Sequence, residues 1–340
     1  MRIGLVYDVF DAYPWREGDP PDADAEYEPT ETVIALAAAV RRLGHQPIPI
    51  GTAHDLLAYA ADRDCRGLDA AISIAEGAHG RNREGYAPTL FEMIGLPYLG
   101  SDALTLSLSL DKAWTKDLAA AAAVPTPPYR AYASADAIDE ADLPGDFPFF
   151  VKPRYEGSSK GITTRSKVSS LSALRSQVER LVAQYRQDAL VEPFVQGGGE
   201  FTVAVIGSAR PGAEPEALPV LQRAVEERSG IGLHALERRG RPARDWGHRL
   251  EGELSPELEA ELSRLALRVF QKLRCHDFAR ADFRIDEAGR PWFLEINPLP
   301  TFAPDGTFAI IAELLGQPYE AFLADVLERG FRRLGLTLSS

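Results

Sequence analysis

The chain has 340 residues, enough for two or three domains, because a single core rarely grows past roughly 250–300 residues. Its hydrophobic share of 45% and charged share of 26% are ordinary for a globular protein, and no apolar run approaches the ~20 residues of a membrane span. The formal charge of −13 argues against nucleic-acid binding, which needs a surplus of Lys and Arg, yet leaves room for a phosphate ligand at a local positive site.

The start, MRIGLVYDVF, has too short an apolar run for a secretory signal, and the two cysteines, Cys65 and Cys275, form no disulfide framework. Both point to a cytoplasmic protein with no membrane association. Ile3 to Tyr7 reads as a buried strand. A polar loop follows to about Pro29, with seven acidic residues and no basic ones between Glu17 and Glu31. Such a block reads as a solvated surface loop, the alternative being a lid that attracts a substrate amine. From Thr30 the apolar positions Val33, Ile34, Ala37, Val40 and Leu43 recur with helical spacing, stopping at Gly44. Gln46 to Ile50, with two prolines, suits an edge strand, Leu68 to Ile74 another strand, and Pro88 to Ile94 a helix closed by Gly95. Alternating strands and helices imply a doubly wound parallel sheet, without the Gly-x-Gly-x-x-Gly of a dinucleotide site.

A second unit starts near Leu108. Its helix, from Asp111 to Ala123, stops before Val124-Pro-Thr-Pro-Pro128. Strand Phe149–Lys152, a Gly/Ser loop, helix Ser172–Tyr185 and strand Leu190–Glu192 follow. A third unit pairs strands Glu200–Ile206 and Leu218–Gln222 with a helix from Pro256 to Leu273. Strands Ala279–Ile285 and Pro291–Ile296 then flank the turn Asp286-Glu-Ala-Gly289, before closing helices from about Phe308 to Gly335. The expected division is 1–106, 107–195 and 196–340.

Two constellations carry chemistry. In Ala279–Ile285 the period of two puts Arg280, Asp282 and Arg284 on one face, and the same rule aligns Phe293, Glu295 and Asn297. A hairpin across the turn brings Asp282, Glu295 and Asn297 together, three oxygen ligands suited to Mg²⁺. Arg280 beside them could hold charge developing on a reacting carboxyl oxygen. The second constellation is Val151-Lys-Pro-Arg-Tyr-Glu-Gly-Ser-Ser-Lys-Gly161, a strand-terminal lysine before a loop whose free amides and hydroxyls can wrap phosphate oxygens. Cys275-His276-Asp277 is no catalytic relay, since adjacent residues cannot stack into one; it reads as a helix-to-strand connection. His45, His54, His234 and His248 lack metal-ligand spacing.

Asp111-Lys112…Lys116, Lys152-Pro…Glu156-Gly-Ser-Ser-Lys-Gly161, Val191-Glu192…Glu200-Phe-Thr-Val203 and Asp282…Glu295-Ile-Asn297 together resemble the D-alanine–D-alanine ligase branch of the ATP-grasp enzymes. Gly95-Leu-Pro-Tyr-Leu-Gly-Ser101 resembles the end of that branch's first domain. The resemblance implies an α/β, three-domain ATP-grasp architecture with ATP between the central and C-terminal domains. It implies that Lys112 and Lys152 contact ATP phosphates, and that Glu156, Ser158 and Ser159 belong to a loop closing over them. Glu192, Pro193 and Val195 would form the hinge reading adenine, and Glu200 would take the ribose hydroxyls. Asp282, Glu295 and Asn297 would hold two Mg²⁺ ions, with Mn²⁺ as a substitute, while Arg280 and Ser158 would be catalytic. The substrates would be small amino acids or carboxylates, and the assembly a homodimer.

The amino-acid half departs from that pattern. Tyr7-Asp-Val-Phe-Asp-Ala-Tyr13 replaces the family's Gly-rich turn and Ser-x-Glu segment. Ile74-Ala-Glu-Gly77 replaces its His-Gly pair, with His79 displaced. Gln222 to Gly230 replaces a tyrosine-rich loop, and Gly306 stands where a carboxylate-holding serine is expected. Two D-alanines are therefore not the expected substrates. Arg81, Arg83, Arg223 and Arg228 are candidate carboxylate holders, and Asp8, Asp11 and Glu17 candidate ammonium receptors. The expectation is a peptide- or amide-forming ligase, with a divergent D-alanine–D-alanine ligase or a non-catalytic nucleotide-binding regulator as alternatives.

Overall fold

A computed structural model describes residues 1–61, 67–226, 228–232, 237–238 and 248–336, so Cys65 and His234 lie outside the described residues. The first unit runs β1 (Arg2–Tyr7), α1 (Thr30–Arg42), β2 (Gln46–Gly51), α2 (Ala53–Ala61), β3 (Ala70–Ile74), α3 (Tyr86–Ile94) and β4 (Tyr98–Leu99). Its four strands form a parallel sheet in the order β2-β1-β3-β4. Ile3 to Val6 are apolar or small throughout because a parallel sheet is covered on both faces. Ile3 and Leu5 share a core with Leu36 and Val40 of α1, whereas Val6 faces Leu56 of α2 and Phe91 of α3. Pro47 and Pro49 sit on an edge strand, where missing donors are tolerated, and Gly95 ends α3 at φ 68°.

Next come α4 (Ala103–Leu110) and α5 (Lys112–Ala121). The carboxylate of Asp111 accepts the Ala113 and Trp114 amides, satisfying donors that the first turn of α5 leaves open. The strands β5 (Arg130–Tyr132), β6 (Phe149–Pro153), β7 (Lys167–Val168) and β8 (Ala189–Pro193) form an antiparallel sheet in the order β5-β8-β6-β7. Helix α6 (Leu171–Tyr185) lays Leu174, Val178 and Leu181 onto Phe149, Val151 and Val191.

The last sheet joins β9 (Gly197–Ser208), β10 (Glu216–Ala217), β11 (Leu221–Glu226), β12 (Glu237–Arg238), β13 (His248–Leu250), β14 (His276–Asp286) and β15 (Pro291–Asn297). Its main path is β12-β11-β9-β14-β15, with β10 on β9 and β13 on β11. Helix α7 (Pro256–Lys272) buries the apolar stripe Leu262, Leu265, Ala266, Val269 and Phe270 against it. No helix among the described residues is long and apolar enough to cross a membrane.

The chain then returns to its beginning. Helices α8 (Thr307–Leu314) and α9 (Tyr319–Arg333) place Phe308, Phe322, Leu327 and Phe331 in the same core as Ile3, Leu5 and Leu36. The weld is ionic as well. Buried Asp277, at the start of β14, accepts the Gly100 amide at 2.8 Å and two Arg333 N–H groups at 2.7 and 2.6 Å. The Cys275-His276-Asp277 string is thus the expected connection, with burial pushing the Cys275 thiol pKa up and away from nucleophilic use. Breaking a buried pair by deleting one partner costs about 3–5 kcal/mol. Asp277→Ala is expected to lose stability on that scale, read as a lowered urea midpoint at unchanged slope.

Candidate active site

A cleft of about 680 Å³ lies between the central sheet and the β9–β15 sheet. Its apolar wall includes Phe150, Val195, Ile231 and Leu294, and Pro193 and Phe194 line the turn from β8 into β9. Arg284 and Lys167 stand over the Phe194 ring at 4.6 and 4.2 Å, stacking cations on its face. Glu200 on β9 lies beside Arg284 (3.3 Å) and Arg223 (3.5 Å).

The floor is a buried knot of charge. Glu192 at the end of β8 meets Lys152 of β6 at 2.8 Å and Lys116 of α5 at 2.7 Å. Burial pushes the Glu192 pKa up, but the two ammonium groups outweigh it and hold it below the usual carboxylate range. Burial also brings Lys116 down to about 8 against the pull of Glu192. The sequence reading singled out Lys112 and Lys152; Lys116, in the same motif and fully buried, completes the floor. Lys112 points elsewhere, donating to the Glu156 carbonyl and meeting Glu295 at 3.2 Å.

The β14–β15 hairpin forms as expected, with Asp282 opposite Glu295 and Arg280 opposite Asn297. One expectation fails. The register slips so that Phe283 pairs with Phe293 directly after the Asp282–Glu295 pair, leaving Leu294 as an extra residue. Phe293 therefore does not point with Glu295: it is in the core, its ring centroid 5.7 Å from that of Phe283, while Leu294 and Glu295 line the cleft. Asp282 accepts Thr202 Oγ1 at 2.5 Å, Arg223 at 2.9 Å and Arg280 at 3.2 Å. Burial raises the Glu295 pKa, but Lys112, Lys152 and Arg280 overcome that and bring it to about 2. Asn297 Oδ1 accepts the Leu299 amide at 2.9 Å. Two ionised carboxylates and a carboxamide, with lone pairs beyond those bonds, fit a hard divalent cation.

The phosphate loop bends sharply, with Ser158 and Ser159 both left-handed (φ 45° and 58°). It is held from above by the acidic N-terminal segment, which is no solvated surface loop. Asp22 accepts the Gly161 amide at 2.8 Å and the Tyr185 hydroxyl at 2.7 Å. Buried Glu26 accepts Arg83 and the Gly157 amide, each at 2.5 Å, and Lys160 at 3.3 Å. Gly157 is needed there, since a Cβ would come within 2.9 Å of Glu26 Oε1. Glu156 meets Lys160 at 2.8 Å and accepts Gln187 Nε2 at 2.6 Å. The block of like charge survives because cations and amides from elsewhere neutralise it. Burial raises the Glu26 pKa, yet Arg83 and Lys160 bring it to about 2. Glu26→Ala would leave Arg83 and Lys160 with Glu156 as their shared carboxylate, so a loss of about 3 kcal/mol in chemical denaturation is expected. The loop would also loosen, raising the KM for a phosphate ligand.

The proposed amino-acid contacts need revision. Asp8 is buried and accepts the Gly77 amide at 2.8 Å, a structural role, while Asp11 and Glu17 are exposed. Arg83 is consumed by Glu26, Glu156 and the Tyr155 carbonyl, and Arg223 by Asp282 and Glu200. Arg81 stacks on Trp114 at the surface, and Arg228 is exposed. The carboxylates that do face the reaction centre are Glu76 and Glu84. They line a cavity of about 440 Å³ with Glu26, Ser158, Arg280, Glu295 and Asn297. Sequence reasoning noted Glu76 only as a replacement and missed Glu84, which sits in a short turn without periodic pattern.

Burial, then the nearby Glu26 carboxylate, push Glu84 up to about 7 although Arg83 and Lys112 pull it down. Burial and the Glu84 and Glu26 charges raise Glu76 well above its usual value. A carboxyl raised on folding favours the fold below its unfolded value near 4.5, and that contribution is lost as pH rises through about 7. Glu84→Gln, which cannot ionise, is expected to melt higher than the native chain at pH 8, with the difference shrinking towards pH 5.

The geometry accords with what is known of related proteins. The D-ala D-ala ligase C-terminus family model matches residues 118–328. A D-alanine–D-alanine ligase of Burkholderia pseudomallei is 32% identical over 292 residues, covering 85% of this chain and 87% of that one. The chain belongs to the D-alanine–D-alanine ligase family. It is an ADP-forming ATP-grasp ligase by that membership. The uncharacterized protein y4sG of Sinorhizobium fredii is 29% identical over 344 residues, 98% of each chain. Among solved structures, the Bacillus anthracis D-alanine–D-alanine ligase complexed with ATP superimposes at TM-score 0.71 with 21% identity, covering 98% of both chains. The VanG D-Ala:D-Ser ligase of Enterococcus faecalis gives 0.69 and 20%, covering 96% of this chain and 98% of that one. At those identities the structural likeness speaks for the ATP-grasp fold.

Proposed function

We propose that this ligase joins an amino-acid carboxylate to an amine through an acyl-phosphate, releasing ADP and phosphate, and that its substrates are not two D-alanines. One observation carries the reading: Arg280, Ser158, Glu295 and Asn297 share a cavity with Glu76 and Glu84, adjoining the cleft lined by Lys152, Glu192 and Glu200. The ligase machinery is complete there, while its amino-acid wall differs from the family pattern.

The residues divide the work. The apolar slot at Phe150, Val195 and Leu294 suits a flat base, the Glu192–Val195 turn offers it backbone groups, and Glu200 takes ribose hydroxyls. Lys112 and Lys152 draw the phosphates, under a loop carrying Glu156, Ser158 and Ser159. Asp282, Glu295 and Asn297 would hold Mg²⁺, as two ions or with Mn²⁺ in its place, and such an ion supplies neutralising charge to phosphate oxygens. The substrate carboxylate attacks the γ-phosphorus in line, and Arg280 holds the charge on its second oxygen. The amine then displaces phosphate from the acyl carbon, losing a proton as the amide forms. An acyl-phosphate hydrolyses in open water, so the strap that pins the loop shut serves the chemistry. A cytoplasmic homodimer acting on small molecules remains part of this reading.

Coupled measurement of ADP over pairs of acids and amines tests it. Arg280→Ala is expected to lower kcat about 10²–10³-fold with little change in the KM for ATP. D-alanine alone should give no release above background. The relatives at 32% identity favour the second reading, a divergent D-alanine–D-alanine ligase. Turnover with D-alanine alone, matching the best other pair, would establish that second reading.

A further inference from the structure

The cavity beside the reaction centre contains an imbalance of charge. Glu26, Glu76 and Glu84 each present a carboxylate oxygen, all within 4.8 Å of one another. Glu26 is answered by Arg83 and Lys160. Glu76 and Glu84 are 9% and 6% exposed and have no hydrogen-bond or ion-pair partner among the described residues. Buried carboxylates without partners are costly, and proteins ordinarily pair or neutralise them. These two open onto the cavity whose far side carries Arg280, Glu295 and Asn297. A ligand that bridges the cavity thus meets a guanidinium at one end and two unanswered acids at the other.

We propose that Glu76 and Glu84 form a receptor for two positive charges on the acyl substrate, so that the amino acid activated here is a basic one, with an ammonium or guanidinium on its side chain. The inference rests on the ligase reading for the placement of the substrate carboxylate at Arg280. Charge counting selects the class. The single ammonium of a neutral amino acid displaces the proton of one carboxyl and leaves the other buried, protonated and without a partner. A basic amino acid answers both, because its second cationic group reaches the carboxyl that a neutral side chain leaves unmet. A divalent metal fits less well, because Glu26 is already held by two cations, which leaves two carboxylates for the ion. The groups facing the pair are Arg83, Glu26 and Lys112, with Glu156 and Glu28 beyond them; burial with that surrounding charge pushes Glu84 up to about 7 and raises Glu76 well above its usual value. Binding a dication at pH 7 therefore expels protons.

Titration calorimetry of the full chain, with Mg²⁺ and adenylyl imidodiphosphate present, decides the point. The probes are D- and L-lysine, D- and L-ornithine, D- and L-alanine, and MgCl₂ alone. At least one basic amino acid is expected to bind ten-fold or more tighter than either alanine, with proton release shown by buffers of different ionisation enthalpy. Glu76→Gln and Glu84→Gln should each weaken that binding ten-fold or more and narrow the preference over alanine, with thermal melts verifying that the variants fold. Equal binding of alanine, no binding of any basic amino acid, indifference to both substitutions, or a metal that saturates the pair and excludes lysine would each overturn the proposal. Should a variant fail to fold, the lysine-to-alanine ratio of the native chain decides alone. Binding without ADP formation from any acid and amine would instead sink the ligase reading and leave the basic-ligand site standing.

Discussion

The candidate active site depends on a single buried carboxylate, Glu26, that two other parts of the chain must answer. Arg83 comes from the turn before α3, Lys160 and the Gly157 amide from the phosphate loop. A buried charge stripped of its partners costs several kcal/mol, so none of these elements can leave without exposing the others to that cost. The acidic strap, the turn and the loop consequently behave as one body. Their joint position puts Ser158 over the same cavity as Arg280 and Glu295. The position of the loop over the cavity thus follows from ionic pairing more than from an apolar lid.

A second knot, Glu192 between Lys116 and Lys152, does the same at the floor of the cleft and couples α5 to the central sheet. A third, Asp282 with Thr202, Arg223 and Arg280, fixes the hairpin against β9 and β11. In all three the protein supplies the countercharge itself. Glu76 and Glu84 differ: no cation of the chain pairs with them among the described residues, and in the proposed reading the substrate takes the place of the protons that neutralise them.

What could be read beforehand follows the range of each interaction. The Asp282, Glu295 and Asn297 set was legible because strand period and hairpin turn are local rules. The extra residue at Leu294 was not, since a bulge reflects how Phe293 finds Phe283 in the core rather than any turn chemistry. Glu26 was illegible for a stronger reason. Its partners lie 57 and 134 residues away, and an acidic run reads as solvated until those cations are found. The same range hid the return of α9 to the first sheet, where Phe331 joins Ile3 in one core.

Range also explains why the family likeness and the substrate divide along the chain. The matched region, residues 118–328, holds Lys152, Glu192, Glu200, Asp282 and Glu295, to which the proposed function gives the common task of holding a triphosphate and the charge developing on it. That chemistry is the same for any acyl group, so it fixes residue types and spacing. Glu26, Glu76 and Glu84 precede the matched region and line the cavity in which the proposed function places the acyl substrate. The N-terminal unit can thus exchange a wall of the cavity without disturbing phosphoryl transfer, provided its strap still neutralises the loop. Glu26 meets that condition through Lys160 and Gly157, and so one side chain both closes the site and borders the surface that selects its substrate.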